Sequence, residues 1–304
     1  MTGSTSGHAR GTMAGAVVLC TVALAAAGCG EPDAERPSLT GGGVSVGASG
    51  PQGYDGPLWT EMAEDGPDSD PKVLGGAATR ALECDGPPYF GGNDVGDGWG
   101  SPAGGRSAEE GLRRFLGEAY NAVPTSGYRV EKEEGGRTLF AVGDAEGRTK
   151  AAVIVAKDRP KRAGWGMETF AVCDPAELPA KYDAEMGVQV WTDAKGARVP
   201  VASVRGRLGN DHCDWQDVLF LTLGEGERGA EAPQYVRDEH GKLDEGMVNG
   251  PFDPDAELPA DARDTGFRRD GGELWLAADG KSAYVRSADG VERWPGTPHP
   301  VACR

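Results

Sequence analysis

Long apolar runs are scarce in this chain. The longest covers residues 13–27, and a bilayer-spanning helix needs about 20 predominantly apolar residues. That run is too short for a permanent anchor but suits the apolar core of an export signal. Histidine is almost absent, with four in 304 residues, so no His-rich metal cluster can be assembled. Positive charge is short as well. Asp and Glu number 48 against 31 Lys and Arg, for a net charge of −17. Nucleic acid and bare anionic lipid would both be repelled by such a surface. Aromatic residues make up only 7% of the chain. No cofactor is implied by any motif, and none is assigned.

What is present begins with the export segment. Met1–Thr12 carries Arg10 as its one firm positive charge, and the apolar run closes on Leu24-Ala25-Ala26-Ala27-Gly28-Cys29. This ending resembles the lipobox of bacterial lipoproteins, in which the cysteine becomes the lipidated first residue. The resemblance implies lipidation at Cys29, attachment of the protein to the cell membrane through its lipid anchor, and a location on the extracytoplasmic face. Two acyl chains suffice for stable attachment where one is marginal. Cleavage near Ala25–Ala27, which would release a secreted protein, is the alternative, and a retained anchor helix is a third reading. Removal of residues 1–28 leaves 276 residues, enough for one large domain or two ordinary ones.

Cys20 leaves with the signal and Cys29 takes the lipid. Cys84, Cys173, Cys213 and Cys303 remain, an even number in an oxidising compartment, which reads as two disulfides. Four cysteines allow three pairings. The two nearly equal spans favour Cys84–Cys173 and Cys213–Cys303. They also frame similar local order: a Cys-Asp pair, a Gly-aromatic-Arg step at Gly127-Tyr128-Arg129 and Gly266-Phe267-Arg268, an apolar strand, a Gly-basic-hydroxyl turn at 147–149 and 280–282, a second strand, and a closing cysteine. This suggests two related halves, against the alternative of chance likeness in a biased composition.

The expected fold is α+β. Residues 1–28 are the lipoprotein signal peptide and 29–70 a flexible tether rich in Gly, Ser and Pro. Residues 71–185 are expected as an α+β domain and 186–304 as a β-rich domain, related to the first on the reading above. Ser107 can cap a helix, with Glu110 closing a capping box; Leu112, Phe115, Leu116 and Tyr120 share one face, and Pro124 ends it. Strands are expected near 127–131, 138–142, 150–156 and 168–173, as a meander beneath that helix. In the second half, Val188–Trp191 and Arg198–Val201 flank a hairpin signal at Asp193–Gly196. Further strands are expected at 218–223, 234–237, 273–278 and 282–287, with an acidic loop over 253–264.

Motifs with chemical potential are weak. Gly43-Val44-Ser45-Val46-Gly47 matches the nucleophile-elbow pattern but sits in the tether. Gly224–Gly229 matches GxGxxG, yet its two glutamates would repel a pyrophosphate. Asn93–Gly98 lacks the acidic ladder and terminal glutamate of a calcium loop. The densest polar cluster is Asp211-His212-Cys213-Asp214-Trp215-Gln216-Asp217. There His212 is a candidate general base or metal ligand, with Asp211, Asp214 or Asp217 as orienter. The competing reading is a disulfided cysteine with hydrogen-bonding neighbours. Trp99, Trp165, Trp191, Trp215, Trp275 and Trp294 suit a wall-glycan groove or, more simply, a core.

The strings His212-Cys213-Asp214-Trp215-Gln216, Thr265-Gly266-Phe267-Arg268, Val291-Glu292-Arg293-Trp294-Pro295 and Tyr54-Asp55-Gly56-Pro57-Leu58 are similar to those of uncharacterised lipoproteins of Streptomyces and related actinobacteria. The Gly-, Ala-, Asp-, Arg- and Pro-rich composition, as a GC-rich coding sequence gives, agrees with such a source. The resemblance implies location and carries no catalytic residues. The expected function is a non-catalytic envelope module that binds or positions a ligand, a cell-wall glycan or another envelope protein; nucleic acid is excluded. The alternative is an extracytoplasmic hydrolase or metal-dependent enzyme centred on His212.

Overall fold

The computed structural model describes residues 53–60, 75–92, 104–118, 123–159, 162–224 and 232–301. The described residues are β-rich, with three antiparallel sheets and few helices.

The first sheet has five strands: β1 (Tyr89–Gly92), β2 (Arg129–Glu134), β3 (Arg137–Gly143), β4 (Thr149–Arg159) and β5 (Arg162–Val172), in spatial order β1-β5-β4-β3-β2. The expected meander is β2 to β5. The sequence reading missed β1, which pairs along the edge of β5. Strands β3 and β4 are buried on both faces, so their side chains read as continuous apolar runs rather than alternating ones. A short helix α1 (Gly76–Arg80) and the expected helix α2 (Ala108–Glu118) pack on this sheet.

The N-terminus of α2 differs from the expected capping box in one bond. The Glu110 amide donates to Ser107 Oγ at 3.2 Å, as expected, but the Glu110 carboxylate accepts from the Arg106 amide at 2.9 Å, one residue before the cap. Leu112 is buried in the first core, and Phe115 and Leu116 pack against it. Gly111 lets the helix lie directly on the sheet: a Cβ there would sit 2.8 Å from Val155 Cγ1 and 2.9 Å from the Trp165 carbonyl oxygen.

The second half contains two sheets. One is β6 (Val188–Val190), β7 (Val204–Leu208), β8 (Leu219–Leu223) and β9 (Gln234–Arg237); the other is β10 (Arg263–Arg269), β11 (Gly272–Leu276), β12 (Ser282–Ser287) and β13 (Gly290–Pro295). Each is an antiparallel meander in sequence order. A helical turn, α3 (Tyr182–Glu185), precedes them.

The hairpin expected between 188–191 and 198–201 forms at its tip, where the Val199 amide donates to the Trp191 carbonyl at 2.8 Å and Thr192 bridges Arg198. The turn exists, with the Asp193 amide bonded to the Ala197 carbonyl at 2.8 Å, but β6 itself pairs with β7. Pro200 has no amide to extend a ladder. Arg198 is drawn to the first half, donating to both Asp183 carboxylate oxygens and to the Pro175 and Ala176 carbonyls. Asp174 completes this junction. Its carboxylate accepts the Ala176 amide at 2.8 Å and the Val201 amide at 3.0 Å.

Three apolar clusters result. The first lies under the five-stranded sheet and joins Leu112, Phe140 and Ile154 to Cys173. The second joins Trp191, Leu221 and Tyr235 to Leu274, Ala283 and Trp294, uniting the two four-stranded sheets. The third is Val218, Phe220, Val236 and Leu243. The two halves share a β-meander (β2-β3-β4 and β10-β11-β12), but among the described residues α2 has no counterpart in the second, and β8 and β9 intervene there between Cys213 and the meander.

Candidate functional site

The Cys84–Cys173 disulfide is present, with Cα atoms 5.3 Å apart. Cys213 is also disulfide-bonded; its expected partner, Cys303, lies outside the described residues, as does Cys29. A fully buried lysine supports the first bridge. Lys150 Nζ donates to the Glu83 carbonyl at 2.7 Å and to Glu177 Oε2 at 2.8 Å, and its side chain has no solvent exposure. The same Glu177 carboxylate accepts the Asp85 and Gly86 amides at 2.8 and 3.0 Å. One ion pair thus clamps the segment after Cys84 to the segment after Cys173. Burial alone would raise the Glu177 carboxyl, but the Lys150 hydrogen bond and the two amides outweigh it and hold it below the usual range. Cys84, Cys173 and Glu177 place ligand-type atoms within 4.8 Å of one another. With both sulfurs in the disulfide, neither is the thiolate a metal would need.

The polar cluster at 211–217 sits on the surface. Asp211–Cys213 form a short 3-10 turn, and Asp214 takes a left-handed conformation with φ 59°. Lys242 lies between two of the aspartates, with Nζ 3.2 Å from Asp214 Oδ1 and 3.2 Å from Asp217 Oδ2. That lysine holds the Asp214 carboxyl below its ordinary range. Asp211 and His212 are exposed on the same turn. Among the described residues no three-ligand group forms around His212. Asp214 and Asp217 are thus both paired to Lys242 on an open surface.

Of the six tryptophans singled out above, Trp191 and Trp294 are core, at 2% and 4% exposure. Trp165, Trp215 and Trp275 are half-buried, and Trp99 lies outside the described residues. Among the described residues the exposed indole is Trp59; its neighbour Leu58 is buried in the first core and Tyr54 packs against it, although 29–70 was expected as tether. The GxSxG stretch and Asn93–Gly98 also lie outside the described residues, as does the GxGxxG loop beyond Gly224.

Two concavities flank the third apolar cluster. The larger, about 820 Å³, is lined mainly by apolar surface from Leu243, Val248, Pro251, Phe252 and Pro254, with Arg237 also in its lining. Arg237 is fully committed. Its Nε and Nη2 donate to the two Glu292 oxygens at 2.9 and 3.0 Å, Nη1 pairs with Glu239, and the guanidinium lies 5.5 Å from the Phe252 ring centre. Trp294 Nε1 donates to Glu292 at 2.8 Å. Burial would raise the Glu292 carboxyl, but these two partners outweigh it. Asp238 and Glu245 add negative charge to the lining. The groove is therefore mainly apolar, with acidic groups in its lining.

Sequence reasoning missed this site because Arg237 and Glu292 are 55 residues apart. The available signal was the polar Arg and Glu inside strands that otherwise bury apolar side chains. No family model, no curated protein and no solved structure matches the chain.

Proposed function

We propose that this chain is an exported, lipid-anchored protein of the cell membrane's outer face, a non-catalytic module that binds or positions another envelope component. The Cys84–Cys173 bridge carries this reading. Structural disulfides persist in oxidising compartments and are rare in the cytosol, which agrees with the Leu24–Cys29 ending as a lipidation signal. The 820 Å³ groove supports binding as its work. Its one cation is neutralised by Glu292 and Glu239, so it presents a shaped apolar floor with acidic flanks and no nucleophile–base pair. A partner segment with apolar side chains and Lys or Arg suits it.

A photo-crosslinking residue placed at Glu245, which lines the groove, tests the reading in intact cells. Discrete adducts on the membrane-attached protein, missing when the same residue is placed at the remote, exposed Lys195, are the expected result. Identical adduct patterns at both positions would overturn it. His212→Ala is expected to leave adduct formation unchanged; loss of a hydrolytic activity in that variant would instead favour the enzyme reading.

A further inference from the structure

A second groove, about 330 Å³, opens on the outer face of β7 to β9. Its lining contains Arg205, Arg207, Trp215, Phe220, Thr222 and Gln234, and no Asp or Glu. In a chain of net charge −17, a concavity with two cations and no carboxylate stands apart. Several other arginines are paired: Arg137 with Glu168, Arg198 with Asp183, Arg237 with Glu292, Arg268 with Asp264. Arg205 and Arg207 make no ion pair or side-chain hydrogen bond among the described residues, and both are exposed.

The strand puts them side by side. Alternate residues of a β-strand share a face and repeat every ~7 Å. Val204 and Gly206 are buried, while Arg205 and Arg207 face out. The pairing Arg205↔Thr222↔Gln234 sets a hydroxyl and an amide in the same row. The Gln234 amide is oriented, because its Oε1 accepts the Val301 amide at 2.8 Å. Its NH2 is thus left as a donor. The polar groups in this row are donors or, for Thr222, able to donate.

The other wall is aromatic and fixed. Trp215 packs on Phe220 with ring centres 5.9 Å apart. Gly209 lets it lie close over the strand end: a Cβ there would come within 2.5 Å of Trp215 Cβ and of its carbonyl oxygen. Two guanidiniums recognise planar or tetrahedral oxyanions in paired fashion, and an indole face receives a flat ring.

We propose that this groove is a binding site for a small organic anion: a carboxylate or phosphate carried on a flat ring, with the oxyanion on Arg205 and Arg207 and the ring against Trp215. The site is separate from the larger groove, so its failure leaves the function proposed above untouched.

Isothermal titration of the processed protein in detergent tests this with phenyl phosphate, benzoate, inorganic phosphate and benzyl alcohol. Saturable binding of phenyl phosphate or benzoate is expected, at least tenfold tighter than inorganic phosphate or benzyl alcohol. The tighter of the two acids tells whether the natural ligand is a phosphate ester or a carboxylic acid. The double variant R205Q/R207Q is expected to weaken that binding at least tenfold, with the thermal midpoint of the free protein unchanged, because neither side chain holds the fold together. A remote pair, R113Q/K195Q, removes the same charge and is expected to bind as wild type. Equal binding by wild type and R205Q/R207Q, equal weakening in the remote pair, binding of benzyl alcohol as tight as that of the acids, or no binding of either acid would each overturn the proposal.

Discussion

Lys150→Met keeps the lysine stem's volume but removes the charge that joins Glu177 to the Glu83 carbonyl. Removing one partner of a fully buried ion pair costs about 3–5 kcal/mol, because the other charge is left uncompensated. Here the penalty is smaller. Glu177 retains the Asp85 and Gly86 amides and keeps 13% side-chain exposure, while Glu83, itself exposed, can return its carbonyl to water. The expected loss is about 2–3 kcal/mol. It would be read in urea denaturation at pH 7, with the disulfide intact, as a lower midpoint at unchanged slope. The pH dependence supplies a second arm. The Glu177 carboxyl is depressed in the fold, so its contribution is complete above its unfolded value of about 4.3 and disappears as pH falls through the lower folded value. The gap between wild type and K150M should therefore narrow on acidification below pH 4. A loss under about 0.5 kcal/mol at pH 7, within the range of ordinary surface substitutions, or a gap that widens in acid, would refute the clamp.

Two other predictions concern the first sheet. Replacing both Cys84 and Cys173 with serine opens a covalent loop spanning 89 residues. It should cost about 2–4 kcal/mol by the same assay, and non-reducing peptide mapping of the wild type should return the two cysteines on one linked fragment. Gly111→Ala should destabilise by about 1–3 kcal/mol despite the better helix propensity of alanine, because the new methyl meets the Trp165 carbonyl, which cannot yield without moving β5. A thermal midpoint raised by this substitution would contradict the described packing of α2 on the sheet.

What could be read from the sequence was local. The apolar spacing of Leu112, Phe115 and Leu116 gave α2. The runs at Leu139–Val142 and Ala151–Val155 gave β3 and β4, because strands buried on both faces leave an uninterrupted apolar signature. The turn glycines gave β12 within its observed bounds. The failures have physical causes. Strand β1 is Tyr-Phe-Gly-Gly, with both aromatics exposed; its pairing to β5 lies in the backbone, which side-chain patterning does not report. Strand β7 is Val-Arg-Gly-Arg-Leu, whose buried face offers one apolar side chain and a glycine. Missing it hid the strand that pairs with β6, and the two-sheet layout of the second half went unseen.

The sites follow the same division. The Cys84–Cys173 pairing was legible because the count of cysteines and their spans restrict it. The Asp211–Asp217 cluster was legible as a cluster, but its relation to Lys242 depends on a loop 25 residues away. The Arg237–Glu292 pair joins β9 to β13 across two sheets, and no local pattern encodes such a contact. The Arg-Gly-Arg alternation at 205–207 was present in the sequence; its meaning required knowing that, among the described residues, the groove lining holds no carboxylate.

Intact mass analysis of the protein purified from the membrane fraction addresses the central claim most directly. The account predicts a chain beginning at an acylated Cys29, with Cys84 and Cys173 joined and unreactive to alkylation until reduced. A soluble cytoplasmic chain that retains residues 1–28, with both thiols open to alkylation, would contradict it.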